Sequence, residues 1–152
     1  MTPEERLEEM GLTIPAVPMP LAAYVPGVCV GNWMFISGQL PMQEGELMYA
    51  GVVGDNATLD DGYEAAKLCC LNCVGVMSKL LGNLSRVTRI IKVTGYVSAT
   101  SDFTEHPAVI NGASKLLKSV FGDAGQHARA AVGMTSLPKG ALVEVEMIVE
   151  FE

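Results

Sequence analysis

The run from Leu142 to Glu152, LVEVEMIVEFE, restricts the fold of this chain more than any other stretch. Val143, Val145, Met147, Val149 and Phe151 fall on one side of an extended backbone. Glu144, Glu146, Ile148, Glu150 and Glu152 fall on the other. A period of two sustained this long predicts a strand with one face in a core. A second strand-like run, 128–134, precedes it and carries Arg129 among small and apolar residues; the loop 136–141 between them contains Pro138 and Gly140. A guanidinium grips a carboxylate through two parallel hydrogen bonds, so Arg129 is either an anion site or half of a structural ion pair. Residue chemistry alone favours the ion pair.

At 152 residues the length fits one domain with a genuine core. Apolar residues make up 49% and charged residues only 18%, a composition that suggests apolar surface covered by further subunits. Seventeen acidic against ten basic side chains give a net charge of −7 without a basic cluster, which argues against nucleic acid as a partner. No apolar run reaches membrane-spanning length, and the opening MTPEERLEEMG is charged rather than signal-like, so a cytoplasmic location is expected. Cys69, Cys70 and Cys73 share one helical pattern and Cys29 lies far off. Neither His106 nor His127 stands at a ligand spacing from them, so all four are expected to be buried packing residues, with no metal.

In chain order, Thr2-Pro3-Glu4-Glu5 predicts a capped short helix reaching about Met10 and stopped by Gly11. Residues 13–20 hold three prolines and are expected to be extended and irregular. Residues 24–30 and 33–37 flank Gly31-Asn32 as a hairpin, its first strand kept to an edge by Pro26. Residues 42–56 are loop-like with a short strand at 47–49. Thr58 caps a helix over 59–81 whose apolar stripe is Tyr63, Ala66, Cys70, Cys73, Val74, Met77 and Leu81. A β-branched strand over 86–99 and a helix over 107–121, opened by Pro107 and ended by Gly122, complete the order β-β-α-β-α-β-β. The expected fold is α+β, one mixed sheet with two helices on one face and a partner subunit over the other. Residues 1–19 form a helix and extended arm and residues 20–152 the domain proper.

Several motifs together resemble the reactive-intermediate deaminase family, also called YjgF-like or L-PSP endoribonuclease. They are Tyr24-Val25-x-Gly27, Ile36-Ser37-Gly38-Gln39-Leu40-Pro41, Asn111, and Ala128-Arg129 followed by Leu137-Pro138 and Val143-Glu144-Val145-Glu146. The match spans roughly residues 20–152 and is similar to a longer branch of the family. The resemblance implies a chorismate-mutase-like fold, a homotrimer with ligand clefts between subunits, and no cofactor. It also implies hydrolysis of enamines and imines of the 2-aminoacrylate type to 2-keto acids and ammonia. By the same resemblance Arg129 holds the substrate carboxylate and Glu144 manages the proton through the attacking water. Tyr24, Ser37, Gly38 and Asn111 line the cleft, and the backbone of Ala131 meets the substrate nitrogen. Pro26 and Ala131 depart from the family pattern, which has glutamine and often cysteine there.

Other roles stand beside these. Tyr24 reads equally as a strand aromatic, Asn111 as an ordinary helix residue, Ser37-Gly38 as a strand end, and Glu144 as one of several acids on a wet face. Two further functions compete: a small-ligand-binding or regulatory trimer that uses the cleft without turnover, and an RNA-cleaving enzyme, against which the charge argues. One geometric point constrains all of them. If 128–152 were a simple hairpin, Arg129 would lie opposite about Ile148, roughly 13 Å along the strand from Glu144. Either the two strands are not such neighbours, or one residue of a shared site comes from another subunit.

Overall fold

A computed structural model describes residues 1–17 and 22–152. The helices are α1 (Pro3–Glu9), α2 (Leu59–Leu81) and α3 (His106–Phe121). The strands are β1 (Gly27–Val30), β2 (Trp33–Gln39), β3 (Met42–Gln43), β4 (Glu46–Leu47), β5 (Val87–Ser98), β6 (Ala128–Met134) and β7 (Val143–Phe151). Thr2 caps α1 and Thr58 caps α2 through reciprocal side-chain and backbone hydrogen bonds with the residue three places on, which satisfies amides no helix could pair internally. Gly82 ends α2 in the left-handed conformation at φ 76°. The strand expected at 47–49 is instead the second arm of the small β3–β4 hairpin. The irregular stretch expected over 13–20 falls partly outside the described residues, as does the arm–domain boundary at 19–20.

The main sheet has the order β1-β2-β7-β5-β6, with β5 and β6 parallel and the other pairs antiparallel. Parallel neighbours need a long crossover, and the amphipathic α3 supplies it between β5 and β6. The chain then returns past β5 and inserts β7 between β5 and β2. The simple hairpin is therefore not formed: β5 lies between β6 and β7. A strand in the middle of the sheet accounts for the strictness of the alternation in β7. Val143, Val145, Met147 and Val149 are buried, and the residues between them are half-buried on the opposite face.

Both long helices lie on the face that carries Met34, Ile36, Ile90, Val93 and Val97. Each such side chain, fully buried, stabilises the fold by about 1.5–3 kcal/mol. The buried stripe of α2 is broader than the sequence spacing suggests, because the helix packs on α3 as well as on the sheet. Ala65, Cys69, Gly75 and Val76 join it, while Tyr63 is only half-buried. Gly112 lets the two helix backbones touch at the Tyr63 carbonyl. The Cys69, Cys70 and Cys73 thiols are buried, each within reach of a backbone carbonyl. Cys29 departs from expectation and is exposed. Of β1, Gly27 lies against α2, at Val76 and Leu80, and the residues after it run out along an open edge.

On the other sheet face Val28, Val30, Trp33 and Phe35 are exposed, Trp33 by 48% and Phe35 by 41%. Cross-strand register places Val28 beside Phe35 and Val30 beside Trp33. No helix among the described residues is long and apolar enough to cross a membrane.

Candidate functional site

The fold sorts the seven residues singled out above into two groups built on different strands. The first is built on β6 and α3. Arg129 pairs across the strands with Val93, and Val93 with Met147, so its side chain leaves the sheet on the helix-covered face. Asn111 and Ser114 stand one turn apart on α3 and point at it. Nη1 of Arg129 donates to Asn111 Oδ1 at 2.8 Å and to Ser114 Oγ at 3.2 Å. These partners are neutral oxygens, and among the described residues no carboxylate pairs with Arg129. Ala131, two residues on and on the same face, lies beside Gly95 of β5. Ile110 packs so closely over Gly95 that a side chain there would collide with it.

The second group is built on β2 and β7. The pairing of β2 with β7 slips between Ile36 and Gln39, and Gly38 sits in that bulge. The Glu144 side chain occupies the space where a side chain on Gly38 would go. Ser37 ties down the segment before β1: its hydroxyl donates to the Val25 carbonyl at 2.7 Å and its amide to the Pro26 carbonyl at 2.8 Å. Tyr24, at the start of that segment, is 59% exposed.

Electrostatics separates two acids that the sequence leaves equivalent. The Tyr96 hydroxyl donates to Glu146 Oε1 at 2.5 Å, and that bond, with burial and the charge of Glu146, pushes the phenol up to about 12. Half-buried Glu144 is raised above the ordinary carboxylate range, first by loss of water and then by the nearby charge of Glu146. A carboxyl shifted this way keeps its proton closer to neutral pH, which suits an acid–base group. Among the described residues no three His, Cys, Asp or Glu side chains converge as metal ligands. Burial holds the Cys69, Cys70 and Cys73 thiols well above their ordinary value, so none is a thiolate ready to act as nucleophile or ligand.

The two groups do not meet within one chain. Arg129 is level with Met147 and Glu144 with Tyr96, and β5 separates their strands. That places them about 14 Å apart along the sheet, on opposite faces. The larger cavity, about 710 Å³, lies between the 13–17 arm, the end of β2 and α2, and Tyr24, Pro26 and Gly38 line it. A groove of about 320 Å³ on the helix-free face is lined by Ser37, Lys92, Thr94 and Glu146. Neither contains Arg129, Asn111, Ala131 or Glu144. Sequence reasoning passed over Ser114, which accepts from Arg129, and Tyr96, which donates to Glu146, the charge beside Glu144. It weighed His127 only as a metal ligand, although His127 stands two places before Arg129, the spacing that puts side chains on one face of an extended chain.

Comparison with known proteins agrees with this architecture. The profile of the family described as "YjgF/chorismate mutase-like, putative endoribonuclease" matches residues 4–151. Protein TCP17 of Trypanosoma cruzi is 43% identical over 95% of this chain and 91% of its own. The crystal structure of the protein Atu1372 of Agrobacterium tumefaciens superposes with a TM-score of 0.94 at 44% identity, covering 99% of this chain and 92% of that one. A 2-iminobutanoate/2-iminopropanoate deaminase of Capra hircus is 32% identical over 86% of this chain and 82% of its own. With one main mixed sheet and its two long helices on one face, the chain belongs to the YjgF/chorismate-mutase-like family.

Proposed function

We propose that the protein hydrolyses carboxylate-bearing imines and enamines of the 2-aminoacrylate type to 2-keto acids and ammonia, in sites completed by a second copy of the chain in a homotrimer. The observation that carries this reading is Arg129. It is a guanidinium at the edge of the sheet, oriented by Asn111 and Ser114, with its charge left for a ligand. The similarity to the Capra hircus deaminase favours the same chemistry.

The reaction asks little of a protein. An enamine first takes a proton on carbon to become the imine. Water then adds to the C=N carbon, the C–N bond breaks, and nitrogen leaves as ammonia with the protons that water supplied. Arg129 fixes the carboxylate next to the reacting carbon and so removes rotational freedom. Glu144, raised above its ordinary range, gives and takes the proton through water. The Ala131 backbone receives the substrate nitrogen, and Tyr24, Ser37 and Gly38 shape the wall. The separation of Arg129 from Glu144 in one chain makes the site intersubunit, and the exposed Trp33 and Phe35 supply apolar surface for assembly. The acidic balance keeps nucleic acid out of the scheme, and the cytoplasm is where such intermediates would be met.

The test is release of keto acid from imines made in situ by an amino-acid oxidase, measured against the spontaneous rate. Arg129→Ala is expected to abolish acceleration while assembly persists, a loss of about 2–4 kcal/mol in transition-state binding. An alanine variant that stays assembled and matches the wild type refutes the reading. Ligand binding without any turnover by the wild type would mark a regulatory protein instead.

A further inference from the structure

The hydrogen bonds around Arg129 continue past Ser114 into His127, to which the proposed reaction gives no part. Ser114 Oγ, which meets Arg129 Nη1, lies 2.8 Å from Nε2 of His127, and Nδ1 of His127 lies 2.6 Å from the Gly125 carbonyl oxygen. One group sets the direction of the whole chain. A carbonyl only accepts, so Nδ1 carries the ring hydrogen. In the neutral imidazole Nε2 is then bare and accepts, and the Ser114 hydroxyl hydrogen must point at it. With that hydrogen committed, Ser114 presents lone pairs to Arg129. The chain begins on fixed backbone: Gly125 is buried, and a side chain on it would strike the Leu117 carbonyl.

We propose that Ser114 and His127 are positioning residues for Arg129: the relay from the Gly125 carbonyl, together with Asn111, holds the guanidinium in the one orientation that meets a 2-imino or 2-keto acid carboxylate. This rests on the role given to Arg129 above. An arginine side chain turns about four bonds, and a single bond to Asn111 leaves it free to swing. Two acceptors on successive positions of one rigid helix face set its plane. Without His127 the Ser114 hydroxyl is free to turn back to the carbonyl one helical turn earlier, as helical serines do, and the directed acceptance is lost.

Ser114→Ala, Ser114→Thr and His127→Phe test the relay. Pyruvate affinity is read by calorimetry and imine hydrolysis by keto-acid release. Ser114→Ala and His127→Phe are each expected to raise the pyruvate Kd and the apparent KM about tenfold, with kcat changed less than about threefold because Glu144 is untouched. Ser114→Thr keeps the hydroxyl and is expected to stay near wild type. In an Arg129→Ala background, Ser114→Ala should add nothing, since both changes remove one interaction. Unchanged Kd and KM in Ser114→Ala, while Arg129→Ala loses activity, would overturn the relay and leave the deaminase reading standing. Losses that add to those of Arg129→Ala would overturn it too. An active Arg129→Ala would sink the deaminase reading itself. Should His127→Phe melt, Ser114→Ala, which adds no bulk, decides alone.

Discussion

Gly38→Ala separates stability from chemistry at the proposed proton-handling group. Gly38 is not among the residues with positive φ, so alanine meets no backbone strain there. Its methyl carbon would overlap Glu144 Oε1, come within 2.9 Å of Cδ, and within 3.2 Å of Cγ. Regaining ordinary contact requires the carboxylate to retreat by about 1 Å. The obstacle is the far end of a flexible side chain, so the retreat costs little. Replacing glycine also restricts the unfolded chain, worth about 0.4–1 kcal/mol in favour of the fold. The two effects oppose each other, and the melting temperature should move by no more than about 4 °C. Catalysis should not be spared, because a displacement of about 1 Å at a reacting group costs roughly a hundredfold in rate. Adding Glu144→Gln to Gly38→Ala should then lose much less than Glu144→Gln does alone. The assay is keto-acid release alongside thermal melting of the same samples. A variant that keeps wild-type turnover would show that the position of Glu144 over Gly38 is irrelevant to the reaction. A fall of more than about 10 °C would show that the carboxylate cannot swing aside.

The raised pKa of Glu144 carries a stability prediction of definite sign. The folded state binds this proton more tightly than the unfolded state, so the contribution is complete below the ordinary carboxylate value and is lost as pH rises through the raised one. Urea denaturation across that window should show Glu144→Gln gaining on the wild type as pH rises, and matching it in acid; the opposite trend refutes the assignment. Glu146→Gln should lower the Tyr96 phenol from about 12 towards its ordinary value, followed by tyrosinate absorbance. Gly112→Ala should cost about 1–3 kcal/mol in denaturant unfolding, because two helix backbones rather than a mobile side chain must part. Phe35→Glu on the helix-free face should shift the mass seen by light scattering from that of the proposed trimer to that of a monomer and abolish the proposed turnover, with the fold retained by circular dichroism.

Element type was legible in the sequence wherever one face of a helix or strand had to be apolar, although the first strand is confined to Gly27–Val30 rather than beginning at Tyr24. The alternation of β7, the stripe of α2 and the caps at Thr2 and Thr58 are local patterns imposed by local geometry. The arginine and its family context were legible for the same reason, being motifs of adjacent residues. Strand order was not: alternation shows that β7 is buried on one face but does not identify its neighbours, and nothing in residues 128–152 shows that β5 comes between β6 and β7. That order decides that Arg129 and Glu144 face opposite ways in one chain. Cys29 was misread for a related reason, since burial of an edge strand depends on how far a helix extends over it. The distinction between Glu144 and Glu146, and the line from Gly125 through His127 and Ser114 to Arg129, depend on side chains brought together from separate elements. Local pattern determines which residues prefer the core; which charged and polar groups meet is decided only when the sheet and helices close on one another, because hydrogen bonds and desolvation act over a few ångströms of space rather than along the chain.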